Sequence, residues 1–107
     1  MQFKDLSTAT ANILNLCDEI GFGALTNLDV IDGQIHTTPA TRKQTRVNLD
    51  KPPSPPASRQ DHDYTLNASQ ERLVCEARRR GSGRILSLDI REGRPANVNF
   101  EEVVPAI

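Results

Sequence analysis

The sequence repeats itself at an offset of sixty residues. Without a gap, residues 6–33 match residues 66–93 at six of 28 positions, whereas chance gives roughly two matches at ordinary amino-acid usage. The matched residues of the first copy are Leu6, Gly21, Gly23, Leu28, Asp29 and Gly33, and those of the second are Leu66, Gly81, Gly83, Leu88, Asp89 and Gly93. The repeat predicts a duplicated unit, so that both copies adopt the same fold.

The first copy has the pattern of a helix followed by a hairpin. The predicted elements are a helix at 7–20, a strand at 24–31, a turn at 32–33 and a returning strand at 34–38. Ser7 is the predicted N-cap. Gly21 is predicted to end the helix in the left-handed conformation, with positive φ, and Gly81 is predicted to end the second helix in the same way. Residues 40–50 alternate weakly and are predicted either as a short strand or as an extended lead into a linker.

The second copy has the same pattern. A capping box of Asn67 and Gln70 is predicted to begin its helix, and residues 84–90 alternate as a strand that buries Leu86, Leu88 and Ile90. The returning strand carries Ala96, Val98 and Phe100. A three-residue turn places these three on the face of Leu86 and Leu88, and a two-residue turn places them opposite. We favour the three-residue turn over residues 91–93.

Two helix–strand–strand copies predict an α+β fold of two layers, with two helices on a largely antiparallel sheet of four strands. We expect a first αββ repeat over residues 1–50, a Pro-rich linker over 51–65 and a second repeat over 66–107, with one shared core. Four prolines within residues 52–56 predict a polyproline spacer. The alternative is that an aromatic groove of a partner binds this PxxP pattern.

The second hairpin contains the stretch Gly83-Arg-Ile-Leu-Ser-Leu-Asp-Ile-Arg-Glu-Gly93 after its helix. This order of helix, glycine, strand, acidic-Gly turn and strand resembles the small YezD-like bacterial proteins over about thirty residues of each copy. The resemblance implies the αββ unit and supplies no activity. Members of that family are single units, whereas this chain is doubled.

Charge and hydropathy exclude several classes of protein. The formal net charge is −1, so no global field attracts nucleic acid or membrane. No apolar run has the length of a membrane span, and the first residues lack the pattern of a signal peptide. Cys17 and Cys75 are too few for a disulfide scaffold and are predicted as buried free thiols. We therefore expect a cytoplasmic protein with no membrane partner.

The strongest candidate site lies where the second helix ends, and its residues are Arg78, Arg79, Arg80, Gly81, Ser82, Gly83 and Arg84. Guanidinium groups beside a glycine turn can hold phosphate groups, since arginine donates two parallel hydrogen bonds and glycine permits close backbone approach. The alternative is structural, because cations are favoured at a helix C-terminus and glycine caps that end.

A second basic cluster consists of Arg42, Lys43 and Arg46. These side chains could join the first cluster across the sheet and extend a phosphate-binding surface. The alternative is a solvated loop, which is the usual state of a short charged run.

Metal-binding and catalytic patterns are weak. The soft metal ligands are His36, His62, Cys17 and Cys75, and none has the spacing of a zinc site. Asp61-His62-Asp63 could orient an imidazole, but it follows the Pro-rich stretch without a nucleophile nearby. Asp29 and Asp89 could form a paired acid site, or could be outward polar residues of half-solvated strands. We expect no metal, no cofactor and no enzymatic activity.

The resulting expectation is a small regulatory protein that contacts nucleic acid or phosphate groups through its Arg-rich helix end. The alternative is a protein-interaction module or small inhibitor encoded by a prokaryote, a phage or another mobile element. Because two forty-residue copies are each at the limit for a lone core, we expect a homodimer.

Overall fold

The computed structural model describes residues 1–50 and 65–102. After a 3-10 turn at Phe3–Asp5, its elements are α1 Thr8–Ile20, β1 Gly23–Ile31, β2 Gln34–His36, β3 Arg42–Thr45, α2 Ala68–Arg80, β4 Gly83–Arg91 and β5 Arg94–Glu101. The α+β class is confirmed, but the antiparallel sheet has five strands in place of the predicted four, because β3 also pairs with β1. The Pro-rich linker predicted over 51–65 lies outside the described residues, apart from Thr65.

Side chains begin both helices as the sequence predicts. The Ser7 hydroxyl accepts a hydrogen bond from the backbone N–H of Thr10 at 3.3 Å. The Asn67 side chain accepts from the N–H of Gln70 at 2.9 Å, and the Gln70 side chain accepts from the N–H of Asn67 at 3.0 Å. These bonds satisfy N–H groups that have no partner within the helix, which explains why α1 and α2 start one residue after these caps.

Both helices end in the same tight turn, at Gly21 and Gly81. The predicted positive φ is confirmed at 72° and 76°, but ψ is −67° and −60°, so the predicted left-handed cap is wrong. The carbonyls of Ile20 and Arg80 each accept from the N–H two residues on, at 2.8 Å. This is a γ-turn, whose strained geometry favours glycine. It turns the chain directly from the helix into the next strand.

Strands β1 and β4 form the centre of the sheet. They pair antiparallel from Gly23 opposite Ile90 to Val30 opposite Gly83. Strand β5 lies on the outer side of β4, and β2 and β3 share the outer side of β1. Residues 40–50, left open between a strand and a lead, thus contribute the short strand β3, all of which is exposed.

Both hairpins turn through two residues. Asp32 and Gly33 have φ of 51° and 75°, and Glu92 and Gly93 have 53° and 74°. Positive φ at both positions is the type I′ geometry that matches the twist of paired strands. The predicted three-residue turn over 91–93 is therefore wrong.

Bulges restore the face that the shorter turn would have reversed. Between the pairs Asp89–Asn97 and Ile90–Pro95 the register shifts by one residue, so that Ala96 is extra and exposed. Beyond this bulge, Val98 lies opposite the buried Leu88 and packs against the core. The predicted shared face of Val98 and Leu88 is confirmed, and that of Ala96 is wrong.

A second bulge in β4 changes which residue faces the core. The register shifts between Ile85 and Ser87, so that Ile85 is fully buried whereas Leu86 is 42% exposed. The predicted burial of Leu86 is therefore wrong, while that of Leu88 and Ile90 is confirmed.

One apolar cluster joins both copies. Its buried members are Ile13, Leu14, Cys17, Ile20, Leu25, Leu28, Val30, Ile35, Leu66, Leu73, Val74, Ala77, Ile85, Leu88 and Ile90. Each hairpin turn also bonds to the helix end of the other copy: Gly33 N–H donates to Gly81 at 2.7 Å, and Gly93 N–H donates to Gly21 at 2.8 Å. One apolar cluster thus contains residues of both αββ segments. In the described part of the chain, neither helix has the length and hydropathy needed to span a membrane.

Candidate binding site

The three arginines at the end of α2 differ in exposure. Arg78 and Arg79 project from the helix, and the Arg79 side chain is 78% exposed with a guanidinium nitrogen 3.8 Å from Glu76. Arg78 is the close neighbour of the opposite hairpin, since a Cβ at Gly33 would lie 3.1 Å from the Arg78 Cα. Arg80 is only 25% exposed. Arg79 is thus the member of this run that is most available to a ligand in the groove beside it.

Arg80 is held on three sides. Its guanidinium pairs with Glu76 one turn earlier, its Nε lies 2.6 Å from Glu102 Oε1, and its Cζ lies 4.1 Å from the centroid of the Phe100 ring. The hydrogen bond to Glu76 raises the pKa of Arg80, and the same bond lowers the pKa of Glu76. A cation engaged in this way fixes the helix end to Phe100 of β5 and to Glu102.

A groove beside α2 brings together much of the predicted site. We call it the helix-end groove. It has a volume of about 1110 Å³, and its lining is Arg79, Arg80, Ser82, Gly83, Arg84, Asp29, Val30, Ile31, Glu101 and Glu102. Three arginines face three carboxylates here, and Arg84 Nε lies 3.8 Å from Asp29 Oδ1. The formal charge of this groove is therefore zero. Arg78 and Gly81 are not part of its lining.

The second basic cluster lies elsewhere on the sheet. Arg42 and Lys43 are exposed on β3, opposite Thr26 and Leu25 of β1. Arg46 follows β3, and its backbone N–H donates to the Phe22 carbonyl at 2.7 Å. This is the Gly23 end of β1, whereas the helix-end groove is at the Val30 end, seven residues or roughly 23 Å away along the strand. The structure does not bring Arg46 together with the Arg-rich helix end.

Arg46 instead lines a second groove, which we call the Phe22 groove. Its volume is about 450 Å³, and its lining is Phe22, Gly23, Ala24, Gln44, Thr45, Arg46, Asp89, Ile90, Arg91, Ala96 and Asn97. No sequence pattern singled out Phe22 or Arg91. The available signal was the Gly-Phe-Gly stretch at 21–23, which aligns with Gly-Ser-Gly at 81–83.

The two grooves occupy equivalent places in the two copies. At the offset of sixty, Gly23 of one groove corresponds to Gly83 of the other. Asp89 in the Phe22 groove likewise corresponds to Asp29 in the helix-end groove. Asp29 and Asp89 thus lie in different grooves and do not form the paired acid site that the sequence left open.

Metal and thiol chemistry have little support in the described residues. Within 1–50 and 65–102, no group of three or more His, Cys, Asp or Glu side chains could hold a metal ion. Burial raises the pKa of the Cys17 thiol to about 12, so this thiol is unreactive at neutral pH. Cys75 is exposed, so its predicted burial is wrong. It lies on the solvent side of α2, whereas the preceding residues Leu73 and Val74 face the core. Asp61, His62 and Asp63 lie outside the described residues.

Comparison with known proteins found no matching family model, no matching curated protein and no matching solved structure.

Proposed function

We propose that this protein is a small, non-enzymatic regulatory protein that contacts phosphate groups of nucleic acid through its Arg-rich helix end. Its two cysteines are free, which suits a reducing cytoplasm.

We also propose that a tandem duplication produced the two αββ units and that the helices form one layer against the sheet. The matched γ-turns and hairpin turns of the two halves support this origin.

The observation that carries the proposal is the exposure of two arginines beside a glycine backbone. Arg79 and Arg84 are 78% and 57% exposed, and both line the helix-end groove with Ser82 and Gly83. Their nearest carboxylate contacts are at 3.8 Å, long enough that a phosphate could compete for either guanidinium. Arg80 then positions the turn, and Arg79 and Arg84 bind.

The test is a salt titration of binding to single- and double-stranded oligonucleotides. We expect affinity to fall steeply with salt, because phosphate contacts release counterions. Arg79→Ala with Arg84→Ala should weaken binding and lower the salt slope. Arg72→Ala is the matched control: its side chain is also 78% exposed and also pairs with Glu76, but it lies outside the groove. Unchanged affinity in the double variant with native circular dichroism would refute the proposed site.

A protein-interaction module or small inhibitor, of phage or mobile-element origin, is the second candidate function. The zero formal charge of the helix-end groove favours it, because a groove of interspersed charges suits a protein surface better than it suits a polyanion.

Strand β5 is an outer strand of eight residues, and such an edge can pair with a second copy. Light scattering tests the homodimer: a strict monomer of 11.8 kDa at high micromolar concentration would refute it.

A further inference from the structure

We propose that the Phe22 groove binds one nucleotide of a single-stranded nucleic acid, with the base stacked on Phe22 and a phosphate beside Arg46 and Arg91. This inference rests on the proposed function, since it assumes that the partner is nucleic acid. It adds a second site, at the opposite end of the central strand pair, that reads bases as well as phosphates.

The backbone presents Phe22 to solvent in a fixed position. The Phe22 side chain is 46% exposed, although phenylalanine is among the residues most often buried. The Phe22 N–H donates to Ile20 at 2.8 Å within the γ-turn, and the Phe22 carbonyl accepts from Arg46 at 2.7 Å. Both backbone groups of this residue are thus bonded, which fixes the point from which its side chain projects, and Phe22 is part of the groove lining.

The charge of the groove suits a phosphate. Its charged lining is Arg46, Arg91 and Asp89, a formal charge of +1, and within the described residues neither arginine makes an ion pair. Arg91 also lies directly opposite Arg94 across the hairpin. Like charges in that arrangement destabilise a sheet, and a bound anion would relieve their repulsion. This imbalance distinguishes the groove from its equivalent at the helix end.

Two amides complete the site. Gln44 on β3 and Asn97 on β5 lie in one row across four strands, with Ala24 and Asp89 between them. Three strand spacings separate the backbones of these two residues by roughly 14 Å, and the side chains between them are those of Ala24 and Asp89. Amide groups both donate and accept hydrogen bonds, as the edges of a base require. An aromatic ring, two cations and amide groups are the combination that binds single strands.

The experiment uses Phe22→Trp as a reporter, because the chain has no tryptophan. Titration with a dT oligonucleotide should quench the indole fluorescence, since a stacked base contacts the ring. An abasic oligonucleotide of equal length, which has phosphates but no bases, should leave the fluorescence nearly unchanged. All measurements use the whole chain of 107 residues.

Affinity measurements on variants complete the test. Phe22→Ala should weaken binding of the dT oligonucleotide roughly tenfold or more, and Phe22→Tyr should preserve it. Leu86→Ala is the matched control, because Leu86 is a 42% exposed apolar side chain outside this groove. Native circular dichroism of Phe22→Ala excludes misfolding, and Phe22→Tyr provides a second variant that retains the ring.

The outcomes separate this inference from the proposed function. If wild-type protein binds the oligonucleotide and Phe22→Ala binds equally well without quenching of the reporter, the inference is overturned and the helix-end site stands. If Phe22→Ala loses binding while the Arg79→Ala, Arg84→Ala variant retains it, the helix-end site fails alone. If wild-type protein binds no oligonucleotide, both are overturned and a protein partner is favoured.

Discussion

The helix-end groove and the Phe22 groove share a backbone frame but differ in chemistry. Each begins after a γ-turn glycine and lies beside an end of the β1–β4 pair. At equivalent positions the side chains are Ser82 and Phe22, and Arg84 and Ala24. One groove has more arginines but no net charge, and the other has fewer arginines and a charge of +1. The carboxylate partners, more than the number of arginines, thus set the attraction for an anion.

The same comparison shows which residues maintain the frame. Gly33 and Gly93 bond to the opposite helix ends, and their neighbours there, Arg78 and Asp18, are themselves equivalent. Glycines at turns and close approaches are retained in both halves, while exposed groove positions differ. Side-chain differences at these exposed positions give the two grooves different linings and different formal charges.

The largest expected difference between the two grooves is how much space surrounds the glycine in each, Gly23 or Gly83. A Cβ at Gly23 would lie 1.9 Å from the Gln44 carbonyl oxygen, at a φ of 154°. Gly23→Ala should therefore cost about 3 kcal/mol of unfolding free energy or more, by displacing β3. At Gly83 the nearest atom would be 3.3 Å away, and Gly83→Ala should cost less than about 1 kcal/mol. Urea denaturation measures both, and equal losses would show that β3 does not constrain Gly23.

A second difference between the two units is a buried hydrogen bond that is made in the first unit alone. Thr10 Oγ1 accepts a hydrogen bond from the Ile35 N–H at 3.2 Å in a buried contact. The residue that aligns with Ile35 in the second unit is Pro95, which has no N–H to donate. Thr10→Val should leave the Ile35 N–H without its acceptor, at a cost of about 1.5 kcal/mol. Thr8→Val, on the exposed side of α1, is the control for β-branched substitution. A stability equal to the control would mean that solvent reaches Ile35.

The two roles assigned to neighbouring arginines predict a smaller difference. Arg80→Ala removes the contacts with Glu76, Glu102 and Phe100 and should cost about 1 kcal/mol. Arg79→Ala removes one exposed pair and should stay within about 0.5 kcal/mol of wild type. Thermal denaturation of the two variants compares them directly. If Arg79→Ala costs as much as Arg80→Ala, Arg79 also supports the fold and is less free for a ligand.

Local sequence signals predicted the parts of the fold that depend on neighbouring residues. Ser7, Asn67 and the glycines of the turns act through backbone groups within a few positions, so their roles are visible in the sequence. The bulges at Leu86 and Ala96 depend on how separate strands align. No local pattern encodes that register, which is why the alternation of β4 predicted the wrong buried leucine.

The grooves were harder to predict for the same reason. Arg78–Arg84 is contiguous in sequence, so its cluster was apparent, but Asp29, Glu101 and Glu102 come from other strands and neutralise it. Phe22, Arg46 and Arg91 come from three separate segments and meet only when β1 pairs with β3 and β4.

The smallest expected effect concerns Glu76, whose counterpart at the offset of sixty is the apolar Leu16. Hydrogen bonds from Arg80 and, to a smaller extent, Arg72 lower the pKa of Glu76 in the folded protein, whereas a glutamate in the unfolded chain has a pKa of about 4.3. Because the folded state binds this proton less readily, the contribution to stability is present above that pH and is lost as the pH falls through the folded pKa.

Glu76→Gln should therefore be less stable than wild type at pH 7, and the gap should shrink between about pH 5 and pH 3. Urea denaturation at several pH values measures the gap. Glu19→Gln, an exposed position on α1, controls for the loss of one negative charge. A gap that stays constant from pH 7 to pH 3 would show that Glu76 acts by packing alone. In that case Arg80 would be held chiefly by Phe100 and Glu102, and the helix end would depend on β5 instead of on its own last turn.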